Sequence, residues 1–65
     1  MKDLSLKAAR VDKGFTQEAL AEILGVSKKT VISWENGEVK LKPYVLYALA
    51  YIYDIDADLL RVPLH

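Results

Sequence analysis

The stretch LGVSKKTVISWENG, Leu24 to Gly37, decides how this chain is read. It packs a helix stop, a tight turn and a helix start into a few residues. Gly25 suits a helix C-terminus, because glycine alone enters the left-handed backbone region cheaply. Ser27 suits the N-cap of the next helix, and Gly37 ends it. The new helix opens with Lys28 and Lys29. A helix N-terminus carries partial positive charge, so two adjacent lysines there work against local stability. Something other than helix stability must account for them.

Working outward, TQEALAEILG starts with Thr16 as N-cap and stops at Gly25, with Ala19, Leu20, Ile23 and Leu24 expected on its apolar face. Only Gly25 and Val26 separate Leu24 from Ser27, so the two helices must cross steeply, as in a helix-turn-helix. Ala21 is small where they approach. On the second helix, at about 100° per residue, Val31 and Trp34 define the inward side, with Val26 before them. The opposite side is centred near Lys29 and Asn36, flanked by Ile32 and Ser33, with Lys28 at its edge. A lysine can donate to guanine O6/N7 or to phosphate, an asparagine can read adenine, and an apolar side chain can touch the thymine methyl. A solvated face also shows Lys, Ser and Asn, but it gains nothing from Ile32.

Earlier in the chain, DLSLKAARVDKG spaces Leu4, Ala8 and Val11 as a helix and stops at Gly14. Later, PYVLYALAYIYD opens with Pro43 at a helix start, where its missing N–H costs nothing. There Val45, Leu46, Leu49 and Ile52 suit the core. Tyr44, Tyr47, Tyr51 and Tyr53 cannot all fit inside so small a domain. They are either half-buried with hydroxyls in water or part of a self-association surface that Leu59, Leu60, Val62 and Leu64 extend. DADLLR reads as a last short helix capped by Asp56. The fold class expected is all-α: one domain over residues 1–65, a compact helical bundle with four or five short helical signals and no strand pattern with hairpin turns, no repeat and no low-complexity tract.

With 65 residues, the domain buries only about 60% of its unfolded surface and often gains from a partner. It has no cysteine, which excludes disulfides and thiolate metal sites. No segment approaches the roughly 18 apolar residues of a membrane span, and MKDLSLKAARVDKG is too charged for a signal peptide, so a cytoplasmic location is expected. Nine Lys/Arg balance nine Asp/Glu. A nucleic-acid-binding domain is usually basic, but the charge here is uneven. Residues 1–42 carry eight Lys/Arg against six Asp/Glu, and residues 43–65 carry one against three.

Enzyme chemistry has no support in the sequence. The DIDAD run from Asp54 resembles the start of a calcium loop, but Leu59 stands where its glycine is needed and His65 where its glutamate is needed. His65 is the single histidine and is terminal. Ser27 and Ser33 have no histidine or cysteine partner for a nucleophile scheme. No metal and no cofactor is expected.

The run TQEALAEILGVSKKTVISWENG resembles the helix-turn-helix of phage repressor and Cro-like transcriptional regulators. The likeness lies in Thr16-Gln17, Leu20-Ala21, Gly25-Val26-Ser27, Thr30-Val31 and Trp34-Glu35-Asn36-Gly37. With the similar tail LAYIYDIDADLL, it covers roughly residues 4–60. The resemblance implies a five-helix domain that binds double-stranded operator DNA as a homodimer. By position it implies that Gln17 contacts a phosphate and that Ser27, Lys28, Lys29, Ile32 and Ser33 face the major groove. It places Asn36, Lys40 and Lys42 near the DNA backbone, and makes Arg10 and Glu35 an internal salt bridge rather than DNA contacts. A homodimer would use Tyr44, Tyr47, Tyr51, Leu59 and Leu60. Asp54 stands where the family usually has glycine, so a different turn is expected there. Two other readings remain: an antitoxin-type autoregulator, for which the chain is short, and a module that binds a protein partner through the tyrosine-rich helix.

Overall fold

The computed structural model describes residues 4–63; Leu64 and His65 lie outside them. Four α-helices, α1 (Leu6–Asp12), α2 (Gln17–Leu24), α3 (Lys28–Asn36) and α4 (Pro43–Tyr53), are followed by a 3-10 turn at Ala57–Leu59. Two short strands, β1 (Leu4–Ser5) and β2 (Leu60–Arg61), pair in parallel with Leu4 opposite Leu60 and Ser5 opposite Arg61.

Local chemistry sets the helix starts. The side chains of Ser5, Thr16 and Ser27 accept hydrogen bonds from the amides of Ala8, Ala19 and Thr30 at 3.0, 3.0 and 3.2 Å. Each satisfies a donor that the first helical turn leaves unpaired. Pro43 opens α4 after Lys42, which makes no side-chain cap bond. The helix ends share one device. At Gly25 (φ 72°) the amide of Val26 reaches back to the carbonyl of Ala21 at 3.0 Å, closing the Schellman turn that leads into α3.

Asp54 closes α4 in the same way. It adopts φ 55°, ψ 48°, and the Ile55 amide donates to the Ala50 carbonyl at 3.1 Å. The different turn expected from the missing glycine does not occur, because aspartate tolerates the left-handed region better than most side chains.

Four other expectations are corrected. The first helix begins at Leu6, not Leu4, since Ser5 is its cap and Leu4 is in a strand. Its inward face is therefore Leu6, Ala9 and Arg10, while Val11 is 57% exposed. On α2 the buried residues are Leu20 and Ala21, and Ile23 points outward. Among the described residues the bundle has four α-helices rather than five. The chain after the 3-10 turn extends to pair with Leu4–Ser5, and the residue before Pro63 is biased away from helix. Asp56 stands at the start of that turn without a side-chain cap bond. Its carbonyl instead accepts from the Leu59 amide at 2.9 Å.

The core gathers Leu6, Ala9, Leu20, Ala21, Val31, Leu49, Ala50, Tyr53 and Leu60, with Trp34, Val26 and Phe15 packed against it. Tyr53 is the inward tyrosine, its ring 6.2 Å from that of Phe15. Burial, aided by the negative charge of Glu35, pushes its hydroxyl pKa up to about 12. Tyr44, Tyr47 and Tyr51 stand outside, 69%, 65% and 88% exposed.

The αL backbone of Asp54 generates a stability prediction. Asp54→Gly should raise stability by about 0.5–1 kcal/mol, strain relief outweighing the extra backbone entropy of glycine. Asp54→Val should lower it by about 1–2 kcal/mol, because a branched side chain fits this region worst. Urea unfolding of the three proteins checks the order.

Candidate nucleic-acid interface

The placement of α3 depends on one buried polar cluster. Arg10 is a buried charged residue of the core, with its side chain 8% exposed, and Glu35 faces it at 5%. Arg10 Nε donates to Glu35 Oε2 at 2.7 Å, and Arg10 Nη2 donates to Glu35 Oε1 at 3.2 Å. This two-pronged geometry suits a planar guanidinium. Arg10 Nη1 donates to the Phe15 carbonyl at 2.9 Å, and Gln17 Nε2 donates to Glu35 Oε1 at 3.1 Å. The cluster thus ties α1, the α1–α2 loop, α2 and the last turn of α3 together. Hydrogen bonding to Glu35 raises the Arg10 pKa further, against the opposing effect of burial. Among the described residues, no buried side-chain polar atom lacks a hydrogen-bond partner.

With Glu35 and Val31 turned inward, the other side of α3 faces out. Lys28, Lys29 and Asn36 are exposed, and Ile32 and Ser33 are half-buried at the flanks of this face. Ser27 is exposed, but its hydroxyl is engaged as the cap and lies 2.9 Å from the hydroxyl of Thr30. Lys40 and Lys42 are exposed on the connector after α3. Gln17 is half-buried at the first position of α2, and one of its two amide hydrogens is spent on Glu35.

Two acidic residues, neither among the expected site residues, touch this face. Glu18 Oε2 receives a hydrogen bond from Lys28 Nζ at 2.9 Å, and the ammonium holds the Glu18 carboxyl below its usual pKa. Ser33 Oγ donates to Glu38 Oε1 at 3.2 Å. Glu18 thereby supplies the negative charge that the front of α3 lacks. The sequence signal for it was weak: the pair is ten residues apart, and only the crossing of α2 and α3 brings it together.

These features form a helix-turn-helix: α2 and α3 joined by a glycine-closed turn, with α3 held by its inner face and open on its outer one. The helix-turn-helix family profile matches residues 6–60. The chain belongs to the helix-turn-helix family. That family is one of DNA-binding transcription regulators, so the α3 face of this helix-turn-helix protein is its candidate DNA-binding surface. No curated protein and no solved structure matches the chain.

The tyrosines form a second surface on the same helix-turn-helix domain. α4 contains no charged residue over its 11 positions, and its exposed side shows Tyr44, Tyr47 and Tyr51. Leu60, expected on this surface, is 6% exposed and belongs to the core, because β2 turns it inward opposite Leu4. Leu59 is half-buried. Beside Tyr51, Ala50, Asp54, Ile55 and Asp56 line a shallow open depression. Among the described residues, no group of three or more His, Cys, Asp or Glu could hold a metal ion, and no helix is long and apolar enough to cross a membrane.

The buried pair is expected to behave asymmetrically on substitution. Arg10→Met or Glu35→Leu alone should cost about 3–5 kcal/mol, since each leaves an uncompensated buried charge. The double variant should cost much less than the two singles summed. Chemical denaturation of all four proteins measures the coupling.

Proposed function

We propose that this protein is a sequence-specific transcriptional repressor, of the kind carried by phages and mobile elements, that occupies a palindromic operator as a homodimer. The observation that carries this reading is the outward face of α3: Lys28, Lys29 and Asn36 exposed, Ile32 and Ser33 beside them, on a helix pinned from behind by Arg10 and Glu35. A helix held rigidly on one side and polar on the other is suited to the major groove. Lys28 and Lys29 donate to guanine edges or phosphates, Ile32 meets a thymine methyl, and Ser33 adds a donor or acceptor. Asn36, Lys40 and Lys42 meet the DNA backbone past the end of α3. Gln17 approaches a phosphate with its remaining amide hydrogen and the N-terminal amides of α2. The protein acts by occupancy in the cytoplasm, without a cofactor and without chemistry of its own.

The dimer reading draws on α4. Three exposed tyrosines on an uncharged helix are an expensive surface to leave in water, and tyrosine is favoured at interfaces. A two-fold pairing through Tyr44, Tyr47 and Tyr51, with Leu59 at its edge, presents two copies of α3 to successive turns of the major groove. The same surface favours a second reading, in which it binds a different protein, as in an antitoxin-type autoregulator or an interaction module.

Selection of genomic fragments with the purified protein, at low and moderate salt, tests the function. An inverted repeat should be enriched. Its retention should fall at least tenfold with Lys28→Ala/Lys29→Ala and severalfold with Ser33→Ala. Unchanged operator affinity in these variants would refute the site, and no enriched sequence at either salt would favour the protein-partner reading.

Sedimentation tests the pairing separately. Tyr47→Glu should yield monomers at concentrations where the parent is dimeric and should weaken operator binding without unfolding the domain. A parent that remains monomeric at high concentration would refute this pairing.

A further inference from the structure

Both ends of the α3 face are occupied by carboxylates of the same chain. Lys28 at its front donates to Glu18 of α2, and Ser33 nearer its end donates to Glu38 beyond the helix. These two donors are among those that the DNA-binding reading assigns to the groove. From Thr16 to Lys42 there are four lysines and four glutamates, and Glu35 is already paired with Arg10, so the lysines outnumber the remaining glutamates by only one. Attraction to phosphate supplies essentially all non-specific DNA affinity, and so small an excess of positive charge contributes little of it.

We propose that Glu18 and Glu38 set the DNA discrimination of this domain: each holds a groove-facing donor of α3 until a base edge replaces the carboxylate as its partner. The inference rests on the DNA-binding reading above. On DNA of arbitrary sequence, taking Lys28 from Glu18 yields a phosphate contact but leaves a carboxylate facing the negative backbone. On a matching site the released carboxylates find donors, such as the cytosine N4 amino group exposed in the major groove. The Lys28–Glu18 pair is exposed, with side chains 49% and 67% accessible. Surface pairs of this kind bind weakly enough to be exchanged. The two carboxylates therefore penalise wrong sequences more than the right one, which is how a partner is excluded by design rather than merely preferred.

The experiment compares the parent with Glu18→Gln, Glu38→Gln and the double variant, using Asp58→Asn as a charge-matched control away from α3. Each binds a short duplex of random sequence and the duplex recovered by selection, over a series of salt concentrations. Removing the carboxylates should tighten random-sequence binding about tenfold in the double variant and tighten the selected site less, so their ratio falls. With Lys28 released, the salt dependence on random DNA should steepen by about 0.9 in log K per log salt, the signature of one more phosphate contact. In a Lys28→Gln background, the Glu18→Gln gain should vanish. Carboxyl NMR titration gives a readout without DNA: Lys28→Gln should move Glu18 upward towards the ordinary glutamate range.

An unchanged or increased ratio, an equal effect of Asp58→Asn, or a Glu18 titration indifferent to Lys28 would overturn the inference. If the parent binds DNA selectively and the Gln variants match it, the inference alone fails. If neither the parent nor any variant retains DNA, the DNA-binding reading fails with it.

Discussion

The buried pair of Arg10 and Glu35 is the constraint on which the rest of this small domain depends. Two charges taken out of water must satisfy one another closely, and here each guanidinium nitrogen donates one hydrogen bond, two to the carboxylate oxygens and one to the Phe15 carbonyl. That geometry admits little variation. It fixes the last turn of α3 against α1 and, through Gln17, against the start of α2. A purely apolar contact would allow α3 to slide or rotate by a few degrees with small loss. A two-pronged ion pair has direction, and so holds α3 in one orientation.

Seen from that anchor, the two sides of α3 have opposite electrostatic characters. On the inner side, no buried side-chain nitrogen or oxygen of the described residues lacks a hydrogen-bond partner. The outer side carries lysine, serine and asparagine in water, lightly tethered by Glu18 and Glu38. The ion pair on the first side is nearly closed to solvent, and the one on the second is exposed. The neutral overall charge fits this division: nine Lys/Arg balance nine Asp/Glu, so the domain has no strong general attraction to polyanions.

The helix boundaries and the crossing of α2 and α3 were legible in the residues. Ser5 and Asp56 excepted, the caps and stops lie where Thr16, Ser27, Pro43 and the glycines announce them, because capping is a local competition for unpaired amides and carbonyls. The face of α3 was legible for the same reason, since helical periodicity alone separates Val31 from Lys29. Misreadings arose where a residue's neighbours are distant in sequence. Leu60 looked like surface because its strand partner, Leu4, is at the other end of the chain. Ile23 looked like core because periodicity gives a stripe but not its width. Asp54 looked like a break in the pattern, yet the backbone accommodates it.

The sequence by itself therefore determined the local events: where helices start and stop, how tightly α2 and α3 are joined, and which side of α3 is polar. These follow from hydrogen bonds and spacings within a few residues. Only the tertiary structure decided that the ends of the chain pair as strands, that Tyr53 goes inside while three tyrosines stay out, and that Glu18 meets Lys28. Each of those outcomes depends on which surfaces the packed core brings within a few ångströms of one another, and no local pattern encodes that distance.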